Sequence, residues 1–415
     1  MNRHTSEIDF EAQIDGWVRD AASRHTSFAS LVRNLPGVYP GFVVASLRRQ
    51  SIDIEYGRSE RLLRLDGPIP HPKDGDWRFH PESWGLFSKL LLKRPAKDLA
   101  ILACPSLVKP LAPVVDKISL ADSNVAWRDF LPNRGIEVSW GDVSLAAQRW
   151  PHRFDAAIMD PPWYPLEFAR FLSIAAALLK LDATLYVSFP AIGTRPGMAR
   201  ERTQLIRTAR RLGLEHVSTR RSALRYATPY YEGCALAAEG LPVLAGWRHS
   251  DLVAFRRTSD EYTQQIDPSE DEPWIPVSHG RLQLRIKPSD GPAGNPCDPR
   301  LIPLVKGDVL PSVSQRDSRR RAAAVWTAGN RIFGCASTEA FHEVAATMQG
   351  QSPRVLIEEL YGRSLAASEV QNIIETQAQL TELESLEAQT YDDMHEDFIG
   401  TPIRDPAQPQ GLAQG

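Results

Sequence analysis

Apolar and polar positions divide the chain into stretches of different rhythm. Over residues 1–40, Phe10, Ile14, Trp17 and Val18 recur at helical spacing and predict a short helical lead. Phe42-Val43-Val44-Ala45-Ser46-Leu47 then reads as a strand, and the alternation in Ser51-Ile52-Asp53-Ile54-Glu55-Tyr56 predicts an antiparallel partner for it. Pro68, Pro70, Pro72 and Gly75 close this N-terminal extension, residues 1–75. From 76 to 257 short apolar runs alternate with helical segments. Strands are predicted at 99–103, 118–121, 136–140, 154–159 and 184–189, helices near 165–180 and 198–212, and further strands at 216–218 and 252–255. Leu99-Ala100-Ile101-Leu102-Ala103 is apolar throughout, as a strand covered on both faces must be. This βαβ succession predicts an α/β fold: a Rossmann-like, doubly wound, mostly parallel sheet with an antiparallel strand near its end.

Beyond the sheet the pattern weakens. Residues 258–300 are rich in proline and acid and predict a linker. Residues 301–390 predict a small mixed and helical region, with a strand at Ala324-Val325-Trp326-Thr327 and a helix over 353–390. Val370, Ile373, Ile374, Leu380 and Leu383 form one stripe on that helix, suited to packing or to contact with a second chain. Residues 391–415 predict a disordered tail.

Composition narrows the class. With 415 residues, 42% of them apolar and 24% charged, the chain is long enough for two domains and too apolar for wholesale disorder. No apolar run reaches the 18 residues a membrane span needs, and the start lacks a signal-peptide core, so the expected location is cytoplasmic. Cys104, Cys234, Cys297 and Cys335 lie far apart with no CxxC, so neither a metal site nor a disulfide framework is expected. A net charge of −3 means that any nucleic-acid surface must be local. One stretch qualifies: between Gly193 and Arg225 there are nine arginines against Glu201 and Glu215.

Ligands of open parallel sheets bind beyond the carboxyl ends of the strands, and the chemistry-bearing residues gather there. Asp122 ends the second strand, where a carboxylate can hold the two hydroxyls of a ribose. Asp142 follows the third, within reach of an adenine amino group. Asp160-Pro161-Pro162-Trp163 and Tyr164 follow the fourth, at the middle of the sheet. Proline lacks an N–H and fixes φ, so two in succession leave carbonyls free to accept. The Asp160 carboxylate and the Pro161 carbonyl can then each take one N–H of an amine, while Trp163 or Tyr164 stacks on an extruded base. The alternative reading of the same turn is a rigid strand-to-helix connection, which by itself would not require the aromatic pair.

Asp160-Pro161-Pro162-Trp163 resembles the D-P-P-[YFW] motif of S-adenosylmethionine-dependent amino-methyltransferases acting on exocyclic NH2 groups, notably adenine N6. Over roughly residues 76–257 the chain is also similar to the bacterial methyltransferase-like and branched-polyamine synthase-like group. That likeness rests on Asp76-Trp77-Arg78-Phe79, Cys104-Pro105-Ser106-Leu107, the D-P-P-W turn, and Arg225-Tyr226-Ala227-Thr228-Pro229 through Glu232. The resemblance implies the class I methyltransferase fold, S-adenosylmethionine as cofactor, and methyl or aminopropyl transfer to an amine. Ala103, Cys104, Ser106, Asp122 and Asp142 become candidate cofactor residues, and Arg195, Arg225, Tyr226 and Glu232 candidate substrate residues.

The departure from that pattern lies in the cofactor turn. Ala103-Cys104-Pro105-Ser106-Leu107 stands where a GxGxG turn is normal. Three readings stay open: methyl transfer to an exocyclic amine, most plausibly adenine in nucleic acid; aminopropyl transfer to a polyamine; and a non-catalytic subunit that binds partners or nucleic acid.

Overall fold

The computed structural model describes residues 3–132, 135–260, 274–288, 297–314, 317–347 and 352–397. Three helices open the chain: α1 (Arg3–Ala22), α2 (Phe28–Asn34) and α3 (Pro40–Arg49). The strand expected at 42–47 is therefore helix α3. Pro40 occupies its first turn, where the missing N–H costs nothing. Val43, Val44 and Leu47 pack with Ile14 and Val18 of α1, so burial overrides the β preference of the valines. The partner strand expected at 51–56 is also absent; those residues form a turn and a single bridge, Ser27 to Glu55.

The central elements then follow in order: β1 (Leu62–Arg64), β2 (Arg78–Phe79), α4 (Pro81–Lys93), β3 (Asp98–Leu102), α5 (Val108–Leu111), β4 (Lys117–Asp122), β5 (Ile136–Trp140), α6 (Ser144–Arg149), β6 (Phe154–Met159), α7 (Pro165–Leu178), β7 (Leu179–Pro190), α8 (Met198–Arg211), β8 (Leu214–Ala227), α9 (Tyr230–Ala238) and β9 (His249–Arg257). Eight strands form one sheet in the order β2-β8-β9-β7-β6-β3-β4-β5. Strands β3 to β7 are parallel, and β9 runs antiparallel between β7 and β8. This is the Rossmann-like, doubly wound arrangement that the sequence predicts, with one hydrophobic cluster on each face of the sheet. The order reverses between β3 and β6, and the crevice in which such sheets bind ligands lies beyond the carboxyl ends of strands at this switch point. Tyr226, near the end of β8, and Arg248, just before β9, are carried to the same edge.

The remainder is a second folded unit: β10 (Ile275–His279), β11 (Leu282–Ile286), β12 (Ile302–Pro303), β13 (Val325–Thr327), β14 (Ile332–Gly334), α10 (Thr338–Ala346), α11 (Pro353–Tyr361), α12 (Ala367–Met394) and β15 (His395–Asp397). The expected linker 258–300 thus contains an antiparallel hairpin, β10–β11, whose Val277, Leu282, Leu284 and Ile286 alternate into the core of this unit. Within the expected tail, 391–397 complete α12 and form β15, held by pairing with β1; the rest of that tail, and 261–273 and 289–296, lie outside the described residues. The helix expected over 353–390 is two helices, separated where Gly362 takes φ +62°. Ile373, Leu380 and Leu383 bury the α12 stripe inside the unit, with Ile374 left exposed. Among the described residues no helix is long and apolar enough to cross a membrane.

Candidate active site

The site begins with backbone. β3 ends at Leu102, and Ala103 follows with φ +54°, a left-handed conformation that residues with a Cβ adopt at a cost. Alanine therefore makes the sharp turn for which glycine is the usual solution. Its N–H still bonds to Ala121 O at 3.0 Å, and Pro105–Leu107 then coil into a 3-10 turn that carries half-buried Ser106. Cys104 is buried, its thiol 3.4 Å from Leu102 O. Burial and the nearby carboxylates Asp160 and Asp122 push that thiol well above its ordinary range, so it stays protonated.

Asp122 closes β4 with its side chain buried. Oδ1 accepts the Asn124 N–H at 2.7 Å, and Asn124, not Asp122, caps the following 3-10 turn. Burial, reinforced by Asp76 and Asp74 and opposed by the Asn124 N–H, moves the Asp122 carboxyl up to about 7. Asp142 lies beyond β5, where it accepts from Ser144 N at 2.8 Å and pairs with Arg170. Asp76 and Arg78 pair at 2.7 Å, and the Arg78 guanidinium also stacks 4.6 Å from Trp127.

Asp160 stands at the centre, its N–H bonded to Leu102 O across the crevice at 3.2 Å. The Tyr226 hydroxyl donates to Asp160 Oδ1 at 2.6 Å, Ser188 bonds to Tyr226, and Ser188 reaches Ser250 at 2.9 Å. Burial raises the Asp160 carboxyl to about 7 despite the hydroxyls that favour its ionised form. Pro161 is buried, Pro162 exposed, and Trp163 and Tyr164 half-buried. Trp163 meets the Tyr226 ring edge-on at 5.9 Å, and Tyr226 stacks on Phe79 at 4.8 Å.

Next to this turn lies an internal cation. The Arg248 guanidinium sits 3.9 Å from the Trp77 ring, 4.9 Å from Trp247 and 5.7 Å from Trp163. Its counter-ion is Glu232 at 3.7 Å, fully buried near the start of α9, and neither carboxylate oxygen accepts a hydrogen bond. Burial lifts Glu232 to about 7 against the pull of Arg248 and Arg320. Arg319 and Arg321 are exposed. Arg320 is buried, its guanidinium 4.4 Å from Trp326, and it lies within electrostatic reach of Tyr164, Tyr231 and Glu232.

The structure thus brings together Ala103, Cys104, Ser106, Asp122, Asp160 to Tyr164, Tyr226 and Glu232. It commits two other expected substrate residues elsewhere. Arg195 pairs with Glu201, and Arg225 bonds to Gly246 O at 2.9 Å and to Glu82 at 3.1 Å. Arg248 and Arg320 went unforeseen. The first precedes an antiparallel strand, and the second arrives from a separate unit, so neither leaves a local signal.

No protein-family model matches the chain, and no curated protein matches it. Among solved structures it is similar to the C9 mutein of the branched-chain polyamine synthase from Thermus thermophilus, in complex with N4-aminopropylspermidine and 5′-methylthioadenosine. That likeness has 14% identity over 64% of this chain and 96% of that one, with a TM-score of 0.49. N-methyltransferase NodS from Bradyrhizobium japonicum with S-adenosyl-L-homocysteine shares 12% identity over 43% of this chain and 89% of its own, TM-score 0.31. A TehB-like S-adenosylmethionine-dependent methyltransferase from Corynebacterium glutamicum shares 13% over 43% and 88%, TM-score 0.29. These are distant likenesses of fold.

Proposed function

We propose that the chain is an S-adenosylmethionine-dependent transferase acting on an amine nitrogen, with an exocyclic amino group, adenine N6 in nucleic acid, as the favoured acceptor. The observation that carries this reading is the Asp160-Pro161 turn at the switch point of the sheet, its carboxylate fixed by Tyr226. The residues beside it suit the cofactor. The buried Asp122 carboxylate suits a ribose diol, and the left-handed Ala103 turn lets backbone approach the amino-acid end, with Ser106 to bond its carboxylate. When bound, S-adenosylmethionine supplies an electrophilic methyl on a sulfonium.

Asp160 and the Pro161 carbonyl each accept one N–H of the amine, which turns its lone pair toward that methyl. Bound there, S-adenosylmethionine would supply the methyl and keep the carbon–sulfur electron pair on its sulfur, while Asp160 and Pro161 hold the nitrogen in line. The surplus N–H proton passes to Asp160, whose carboxyl near 7 is matched to that task. Positioning and local electrostatics supply most of the effect.

Asp160→Asn tests the reading: transfer should fall at least a hundredfold while S-adenosylmethionine affinity holds, and full transfer would refute it. One observation favours a second reading. Glu232, buried with neither oxygen hydrogen-bonded and facing an Arg248 guanidinium that packs on three tryptophans, suits a cationic alkylamine in place of that guanidinium, so aminopropyl transfer to a polyamine is the rival. Comparing S-adenosylmethionine with its decarboxylated form as donor separates the two.

A further inference from the structure

The nine arginines between 193 and 225 divide sharply in the folded chain. Three are internal: Arg195 pairs with Glu201, Arg202 with Asp251 at 2.8 Å, and Arg225 with Glu82. The other six, Arg200, Arg207, Arg210, Arg211, Arg220 and Arg221, are exposed and make no ion pair with any described residue. Both acids of the stretch are already spent, since Glu201 holds Arg195 and Glu215 holds Arg256 at 3.2 Å. In a chain of net charge −3 these six positive charges therefore have no counter-ion among the described residues.

Their arrangement is as telling as their number. Arg200, Arg207 and Arg211 share one stripe of α8, with Gln204 between them and Arg210 alongside. Gln204, Arg207, Thr208, Arg210 and Arg211 line an open concavity. α8 begins just past the carboxyl end of β7 and, as a crossover helix, runs back along the sheet. Its Arg200 end lies toward the crevice and its Arg211 end toward the opposite edge. The stripe follows a helix of 14 residues, about 21 Å long at 1.5 Å per residue. Arg220 and Arg221 belong to β8, whose residues 215–222 are all exposed on the outer edge of the sheet, because β2 covers only 226–227; Arg221 lies on the α8 side near Arg202, whereas Arg220 stands opposite Leu252 and near Tyr186, on the other face. Guanidinium groups present fixed forks that match phosphate oxygens, and such a row suits a regularly spaced line of anions better than a single one.

We infer that the α8 stripe and the β8 edge form a binding track for the sugar-phosphate backbone of a nucleic acid, leading from the crevice rim down the flank of the sheet. The track rests on the proposed function only in making the bound strand the substrate; binding itself needs neither cofactor nor catalysis. Contacts of this kind hold a strand in place without reading its sequence.

The test is fluorescence anisotropy of the full chain with a labelled single-stranded oligonucleotide and its duplex, across a salt series without S-adenosylmethionine. Five phosphate contacts, from Arg200, Arg207, Arg210, Arg211 and Arg221, predict a slope of log affinity against log salt of about −3.5 to −4.5. The triple variant Arg207→Glu, Arg210→Glu, Arg211→Glu should weaken binding at least tenfold and flatten the slope by about 3. A control reversing Arg24, Lys93 and Arg354, exposed positions elsewhere, matches its net charge and should bind as wild type. Arg207→Gln with Arg211→Gln gives a milder second variant that spares the helix from new acids. Absent binding, equal loss in the control, or equally strong capture of poly-glutamate would overturn the track. Methyl transfer is assayed in parallel on the wild-type chain, so intact oligonucleotide binding with no transfer refutes the activity and leaves the track standing.

Discussion

The Tyr226 hydroxyl donates a 2.6 Å hydrogen bond to Oδ1 of Asp160, joining the end of β8 to the turn after β6. The two residues are 66 positions apart in sequence, and the antiparallel β9 between β8 and β7 is what lets the fold bring them together. The bond stabilises the ionised carboxylate, so it works against burial. Tyr226→Phe should therefore raise the Asp160 carboxyl above about 7. Transfer that needs an ionised Asp160 rises with pH through that value, so the acidic limb of the kcat/KM profile should move to higher pH. We expect a severalfold loss at pH 7 that recovers near pH 9; an unmoved limb would contradict the role given to Tyr226.

A second consequence concerns stability. Asp122, Asp160 and Glu232 titrate near 7 in the folded chain, above the range near 4 for unfolded carboxyls. Folding then takes up protons between roughly pH 4 and 7, so each group's contribution is full below pH ~4 and is lost as pH rises through about 7. Asp122→Asn keeps an acceptor for the Asn124 N–H and removes this term. Its thermal midpoint should exceed that of wild type by more at pH 8 than at pH 5. A difference that does not vary with pH would count against the assignment.

The turn after β3 gives a backbone prediction. At Ala103, with φ +54°, glycine should stabilise the chain by about 0.5–1 kcal/mol, once its own entropy cost is subtracted. Ala103→Val should destabilise it by roughly 1–2 kcal/mol, because a β-branched side chain resists that conformation most. Urea midpoints of the two variants check the sign of each.

Arg320 is buried with Nε and Nη1 unbonded, and burial brings it down to about 10. A guanidinium held this way contributes little to folding. Arg320→Met keeps an unbranched chain against Trp326 and should leave the unfolding midpoint within about 1 kcal/mol of wild type or above it. Since Arg320 also favours ionised Glu232, the variant should raise the Glu232 carboxyl further, which carboxyl-labelled NMR can read. A large loss of stability would show that Arg320 is better bonded than its geometry indicates.

How much of this was legible beforehand follows from where each signal lies. The strand ends at Leu102, Asp122 and Met159 were readable because buried parallel strands are short apolar runs that stop abruptly. Asp160 and its prolines were readable as the residues just past such a stop. α3 was misread because Val43 and Val44 look like a strand, and only the α1 surface shows that they serve a helix face. The hairpin at 275–286 was hidden by proline and acid on either side of it. Arg248 and Arg320 leave no periodic trace, since one sits in a loop and the other crosses from a separate unit. For the arginines between 193 and 225 the count was plain in the sequence, but that three are paired and six have no acid partner among the described residues depends on which acids the fold places beside them.

β1 and β15 lie side by side, Leu62 opposite His395, and Arg61 bonds to the His395 carbonyl at 3.1 Å across 334 positions. That clasp has a temporal meaning. A chain emerging from the ribosome presents residues 62–64 early, and their partner only after more than three hundred further residues have been made. The pair is a two-stranded sheet of its own, so β1 stays without its partner until synthesis has passed residue 397.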